Sequence, residues 1–284
     1  MAIQLAQSMP FLPVFQNVQF RDTILDRAVA CTKHAQAATL PILVSGESGV
    51  GKDYIVTQIH ARGLRRHRPL VRLGFDTLPA RSIAEKLLGA TKGGMAPPAF
   101  ENAHKGTLLL DAVGDLTPEL QVLLLRALEY RQTVFRKSGH RITIDVQVIA
   151  MTDRTLSDAV CEGSFRRDLY DWLNGAQISL PPLRERPDRR ALIRHLLHVE
   201  QEALSVKSAK YLSKEVWEIF MTHPWPGNIR ELRSLLRSMI AVAPAQIVEV
   251  SDLPPAFLAE QNQRASFVDP AYCKQGRATG SIDA

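Results

Sequence analysis

The chain has 284 residues, 45% of them hydrophobic and 23% charged, with 35 Lys and Arg against 29 Asp and Glu and a formal net charge of +6. These are values of a soluble globular protein with apolar material for a sizeable core. No run approaches the ~20 apolar residues of a membrane span, and the N-terminus lacks a basic segment followed by a long apolar stretch, so no secretory signal is expected.

The mild basic excess suits nucleic acid or an acidic partner, and equally a solvated basic surface. Cys31, Cys161 and Cys273 are widely spaced and show no metal-like pairing. They read as reduced thiols of a cytoplasmic protein.

Along the chain, residues 1–15 look irregular. Ile24, Leu25, Ala28, Val29 and Cys31 have helical spacing within 21–37. PILVSG (41–46) reads as a strand, followed by a helix after Gly51. PLVRLGF (69–75) is a second strand and ARSIAEKLLGA (80–90) a helix. GTLLLD (106–111) is a continuous apolar run of the kind found in central parallel strands. PELQVLLLRALEY (118–130) is helical, with Pro118 suited to a first turn. ITIDVQVIAM (142–151) is a further strand, and ISL (178–180) a short last one before Pro181 and Pro182.

Strands alternating with helices predict a parallel sheet covered on both faces. After Pro187 the pattern becomes helical with no strand between, through RRALIRHLLHVEQEAL, SKEVWEIFMTH and NIRELRSLLRSMIAVA. Ser213 with Val216 fits a helix N-cap. The expected organisation is an irregular 1–15, an α/β core over 16–187, a helical lid over 188–255 and a disordered tail over 256–284. The tail is polar and carries no helix-turn-helix pattern.

Gly46, Glu47, Ser48, Gly49, Val50, Gly51 and Lys52 satisfy G-x-x-x-x-G-K between a strand and a helix. Glycines let the backbone wrap a phosphate with its N–H groups inward, and the following helix adds its positive end. Lys52 would neutralise the β- and γ-phosphates of a bound nucleotide. Asp53 stands where a Ser or Thr commonly reaches Mg²⁺, and its carboxylate can take the metal directly or through water. Asp111, closing the apolar strand, is the second candidate Mg²⁺ ligand.

With these residues in place, the chain resembles the AAA+ domain of sigma-54-dependent transcriptional activators, the bacterial enhancer-binding proteins. The resemblance runs through GESGVGKD, LVRLGFDTLP (70–79), KLLGATKGG (86–94), HKGTLLLDAVGDL (104–116), FRRDLYDWLN (165–174), ISLPPLRERPD (178–188) and HPWPGNIRELRSLLRSMI (223–240), and covers about 15–255. It implies an AAA+ P-loop αβα sandwich with a parallel sheet, then a small all-α lid. It also implies ATP and Mg²⁺ as cofactors, a homo- or hetero-oligomeric ring with ATP at subunit boundaries, and sigma-54 RNA polymerase or a paralogous activator as partner. By position, Arg166 resembles the finger that reaches a neighbour's γ-phosphate, and Arg230 the lid's nucleotide sensor. Arg184 and Arg186 would steady the hinge between core and lid. Adenine is expected near 15–20 and the lid.

The chain departs from that family at several points. Ala112 follows Asp111 where the family has a glutamate that polarises the attacking water; losing a general base costs about 10²–10⁴-fold. Asp115, in the turn, is not a substitute. Trp172 stands where a second arginine is usual, and an arginine finger is worth about 10³–10⁵ in rate. Asp153 replaces a polar sensing residue. The 94–100 stretch, GMAPPAF, lacks the Phe-Thr pair of the loop that touches sigma-54, and its prolines stiffen it. The expectation is an ATP-binding regulator whose hydrolysis is weak or lost. An active ATPase remodelling sigma-54 polymerase and a non-functional truncated paralogue are the alternatives.

Overall fold

A computed structural model describes residues 23–75, 79–88, 99–130, 134–135, 141–142, 144–206 and 208–259. The chain divides into two compact units. One comprises Gln19–Pro187 with Pro226–Arg230; the other comprises Met1–Val18, Asp188–Trp225 and Glu231–Ala284.

The larger unit opens with helix α1 (Thr23–Ala37), strand β1 (Ile42–Ser45), helix α2 (Lys52–Ala61) and strand β2 (Leu70–Gly74). Helices α3 (Ala80–Leu88) and α4 (Ala99–Asn102) lead to strand β3 (Thr107–Asp111) and helix α5 (Pro118–Tyr130). Two short strands, β4 (Val134–Phe135) and β5 (Arg141–Ile142), pair antiparallel. Strand β6 (Gln147–Thr152), helices α6 (Leu156–Cys161) and α7 (Arg167–Leu173) and strand β7 (Ala176–Ser179) complete it.

The sheet has five strands in the order β2-β3-β6-β1-β7, and every neighbouring pair is parallel. Its residues alternate between two cores, as the two-residue period of a strand requires. Leu43, Leu73, Leu108, Leu110, Val148 and Ala150 join one cluster with residues of α3, α5 and α7. Ile42, Val44, Leu109, Ile149 and Met151 join the other with residues of α1 and α2. β1, β3 and β6 are buried on both faces, and their apolar centres ILV, LLL and VIAM reflect it.

One predicted strand is split. The 142–151 run yields β5 and, beyond residues 144–146, which belong to neither strand, β6. Ile144 and Val146 are nonetheless buried, so an apolar pattern marked burial without ladder pairing.

The smaller unit holds helix α8 (Arg189–Ala203), strand β8 (Tyr211–Leu212), helix α9 (Lys214–Thr222), most of helix α10 (Asn228–Val242) and strand β9 (Ile247–Val248). Strands do occur here, contrary to the all-helical expectation: β8 and β9 form a two-stranded parallel ladder, too short to show a period in sequence. Ser213 caps α9, its hydroxyl accepting from the Val216 N–H at 3.3 Å. Trp225 is fully buried, packs edge-on against Phe220 at 5.3 Å and donates its indole N–H to the Phe220 carbonyl at 2.9 Å. A helical stretch over 255–259 brings Phe257 over Trp225 at 6.0 Å, so residues expected in the tail contribute to this core. Residues 260–284 lie outside the described residues.

Candidate nucleotide site

The carboxyl ends of β1, β3 and β6 lie side by side in the sheet, and ligands of open parallel sheets bind at that edge. Gly46 follows β1, Asp111 ends β3 and Asp153 follows β6. The sequence order alone puts these residues far apart; the crossovers bring them to one edge.

The loop from Gly46 to Gly51 turns sharply into α2. Gly51 is the helix N-cap at φ 100, a left-handed conformation open to glycine at little cost. Gly49 has φ 80, and a Cβ there would stand 2.2 Å from the Gly227 carbonyl oxygen. The Lys52 ammonium donates to the carbonyls of Gly46 at 2.6 Å and Glu47 at 3.0 Å. Two of its three donors are thus used on the loop itself, and the third remains for a phosphate. Burial pulls the Lys52 pKa down, against the pull of the Asp153, Asp111 and Asp53 carboxylates.

The loop is braced from two later segments of the same unit. Arg184 grips Glu47 with both guanidinium nitrogens, at 2.5 and 3.0 Å. Asn228 donates to the Glu47 carboxylate and to the Ser48 carbonyl, each at 3.0 Å, and accepts from the Leu183 N–H at 2.8 Å. Ile229 and Arg230 donate their backbone N–H groups to the Gly49 carbonyl, and the Arg230 side chain reaches the Ser48 hydroxyl at 3.1 Å. The Arg184 hydrogen bonds, with help from Asn228, hold the Glu47 carboxyl at a pKa of about 2. Glu47, Asn228 and Arg184 therefore fix the cradle's shape. Arg184, expected at the hinge, bonds directly to the loop. Arg186 is buried.

Asp53 and Asp111 both accept from one side chain that sequence reasoning missed. Arg72, in β2, donates Nη1 to Asp53 at 2.7 Å and Nη2 to Asp111. The parallel register sets this up, since Arg72 lies opposite Leu109 and two residues before the Gly74–Asp111 pair. The signal available in sequence was one charged residue inside the apolar run PLVRLGF.

The groups that would act on a phosphate are differently placed. Ala112 directly follows Asp111 and takes a left-handed φ of 58, capping a single 3₁₀ turn over Val113–Asp115. Asp115 is committed to Arg154 at 2.9 Å. Arg166 is exposed and folds onto Asp168, at 3.0 Å through Nε and 2.6 Å through Nη2. Trp172 packs against the core cluster that contains Leu169 and Leu173. Asp153 is exposed and contributes to the field at Lys52. Residues 91–98, with most of the 94–100 stretch, and residues 15–20, where adenine contacts were expected, lie outside the described residues.

The comparisons with known proteins agree with this geometry. The sigma-54 interaction domain matches residues 18–179, and the AAA+ ATPase lid domain matches 184–269. The transcriptional regulator NtrC of Rhizobium meliloti (strain 1021) is 34% identical over 253 residues, 86% of this chain and 50% of that protein. NtrC of Escherichia coli (strain K12) is 36% identical over 225 residues, covering 76% of this chain and 48% of its own length. The chain thus spans about half the length of these regulators. Among solved structures, NtrX of Brucella abortus crystallised with ATP superposes with a TM-score of 0.73 at 26% identity, over 88% of this chain and 61% of that one. With a family model covering more than half its length and a five-stranded parallel sheet carrying the phosphate loop, the chain belongs to the sigma-54 interaction domain family of AAA+ proteins.

Proposed function

We infer that this chain is an ATP-binding module of a sigma-54-type transcriptional regulator that holds its nucleotide and cleaves it slowly or not at all. The observation that carries this reading is Ala112, set immediately after Asp111 at the carboxyl end of β3. A methyl group neither accepts a proton nor orients a water. Asp115, the nearest carboxylate in the following turn, is paired with Arg154.

The glycine loop, Lys52 and the positive end of α2 support the holding half of this reading. NtrX, which shares the fold, was crystallised with ATP and with ADP, which supports nucleotide binding here. Of the cleaving half, Arg166 remains, exposed and paired with Asp168; in a ring it would be the group offered to a neighbour. Trp172 offers packing and no positive charge. A subunit of this kind regulates by occupying a place in an assembly with active paralogues, lending Arg166 to the adjacent site.

In nucleotide sites of this type Mg²⁺ neutralises phosphate charge. The carboxylates it would take are Asp53 and Asp111. Their chemistry suits a hard cation, but Arg72 engages both, so this donor set does not present a free metal site.

The test is a filter-binding measurement of radiolabelled ATP beside steady-state phosphate release, for the wild-type chain and Lys52→Ala. ATP retained by wild type and lost in the variant, with release at background, supports the reading. Release that depends on Lys52 and proceeds at several turnovers per minute rejects it.

A further inference from the structure

The pairing of Arg72 with both candidate metal carboxylates has a consequence for how the site balances charge. Arg72 donates to Asp53 at 2.7 Å and to Asp111 through its other terminal nitrogen. Asp111 is largely covered, its side chain 16% exposed, whereas Arg72 and Asp53 stay open at 40% and 54%.

A guanidinium is a planar fork with five N–H donors. Two are spent on the carboxylates, which leaves donors for phosphate oxygens. A divalent cation at the same carboxylates would have to displace the fork or sit beside its positive charge. At contact distance that repulsion is unfavourable in a partly covered site.

We propose that Arg72 occupies the divalent-cation position of this site, bridging Asp53 and Asp111 to the phosphates, so that the chain binds nucleotide without needing a metal. The proposal rests on the nucleotide-binding reading above for its phosphate half only; the exclusion of metal from the two carboxylates stands on Arg72 alone. A fixed monovalent guanidinium would also neutralise less phosphate charge than Mg²⁺, in keeping with a site that holds rather than cleaves.

The experiment uses the full chain, nucleotide-free, titrated with Mn²⁺ and followed by electron paramagnetic resonance, in wild type, Arg72→Gln and Arg72→Lys. Wild type is expected to show no site tighter than about 1 mM, and Arg72→Gln to gain a site at least about tenfold tighter. Arg72→Lys keeps a charge between the carboxylates and should stay metal-free. In a second arm, a fluorescent ATP analogue is titrated with Mg²⁺ and again with EDTA. Wild-type affinities should agree within about twofold, and Arg72→Gln should weaken about tenfold in EDTA. Mn²⁺ bound by wild type at micromolar concentration overturns the proposal, whether or not the variants fold. So does a wild-type nucleotide affinity that collapses in EDTA. If wild type retains no nucleotide in either condition, the ATP reading and the phosphate bridge both fail; the Mn²⁺ titration still decides whether Arg72 keeps metal out.

Discussion

Asn228 donates a 3.0 Å hydrogen bond to the carboxylate of Glu47, across 181 residues of sequence. Asn228 is fully buried and sits at a left-handed φ of 53, a conformation that asparagine tolerates better than most residues. Its side chain also takes up the Ser48 carbonyl and the Leu183 N–H. One amide therefore ties the phosphate loop to the segment that carries Arg230.

Replacing that amide should be expensive. Asn228→Ala leaves the buried Leu183 N–H, the Ser48 carbonyl and the Glu47 carboxylate without this partner and keeps the unfavourable φ. We expect a loss of about 3 kcal/mol in urea unfolding and weaker nucleotide binding. An exposed control such as Arg81→Ala should change stability by less than about 0.5 kcal/mol.

Acid should loosen the same brace. The folded pKa of Glu47, about 2, lies below the ordinary 4.5. A depressed carboxyl contributes stability that is present above 4.5 and disappears as pH falls toward 2. The melting temperature of wild type should exceed that of Glu47→Gln at pH 6, and the gap should close between pH 4.5 and 2. Because the pair is about 40% exposed, the gap should be small and should shrink with added salt. A gap that does not change with pH would remove the ion pair from the explanation.

In the smaller unit, Glu200 is wholly buried and bonded by Arg233 at 2.5 Å and by Arg237. Glu200 is the buried member of this cluster, while Arg233 and Arg237 are 30% and 41% exposed and are solvated once it is gone. Glu200→Ala should therefore cost about 1–3 kcal/mol, read by thermal or urea unfolding.

The missing glutamate can be put back. Ala112 already has its Cβ at a left-handed φ, so Ala112→Glu adds little backbone strain beyond what is present. On the proposed reading, the change should raise phosphate release by about tenfold or more at saturating ATP. No rise would place the block at Trp172, where Trp172→Arg in the same background is the next measurement.

Much of the fold was legible because burial on both faces writes itself into composition. TLLLD and QVIAMT carry no polar break, and both became central strands. The loop was legible because glycine spacing and a lysine are local. β8 and β9 were not, since two-residue strands have no period. Arg72 was missed for a different reason. Its role depends on the register between β2 and β3, and register is a property of the folded sheet rather than of either strand. The embrace of Glu47 by Arg184 and Asn228 was hidden in the same way, by sequence separations of 137 and 181 residues.

The most direct measurement counts ATP bound per chain and phosphate released per chain in the same sample, across protein concentration, so that any site completed by a neighbour has the chance to form. Holding with slow or absent cleavage requires close to one ATP per chain and release that stays near that of a Lys52→Ala control at every concentration. Release that climbs with concentration to several turnovers per minute above that control would contradict it.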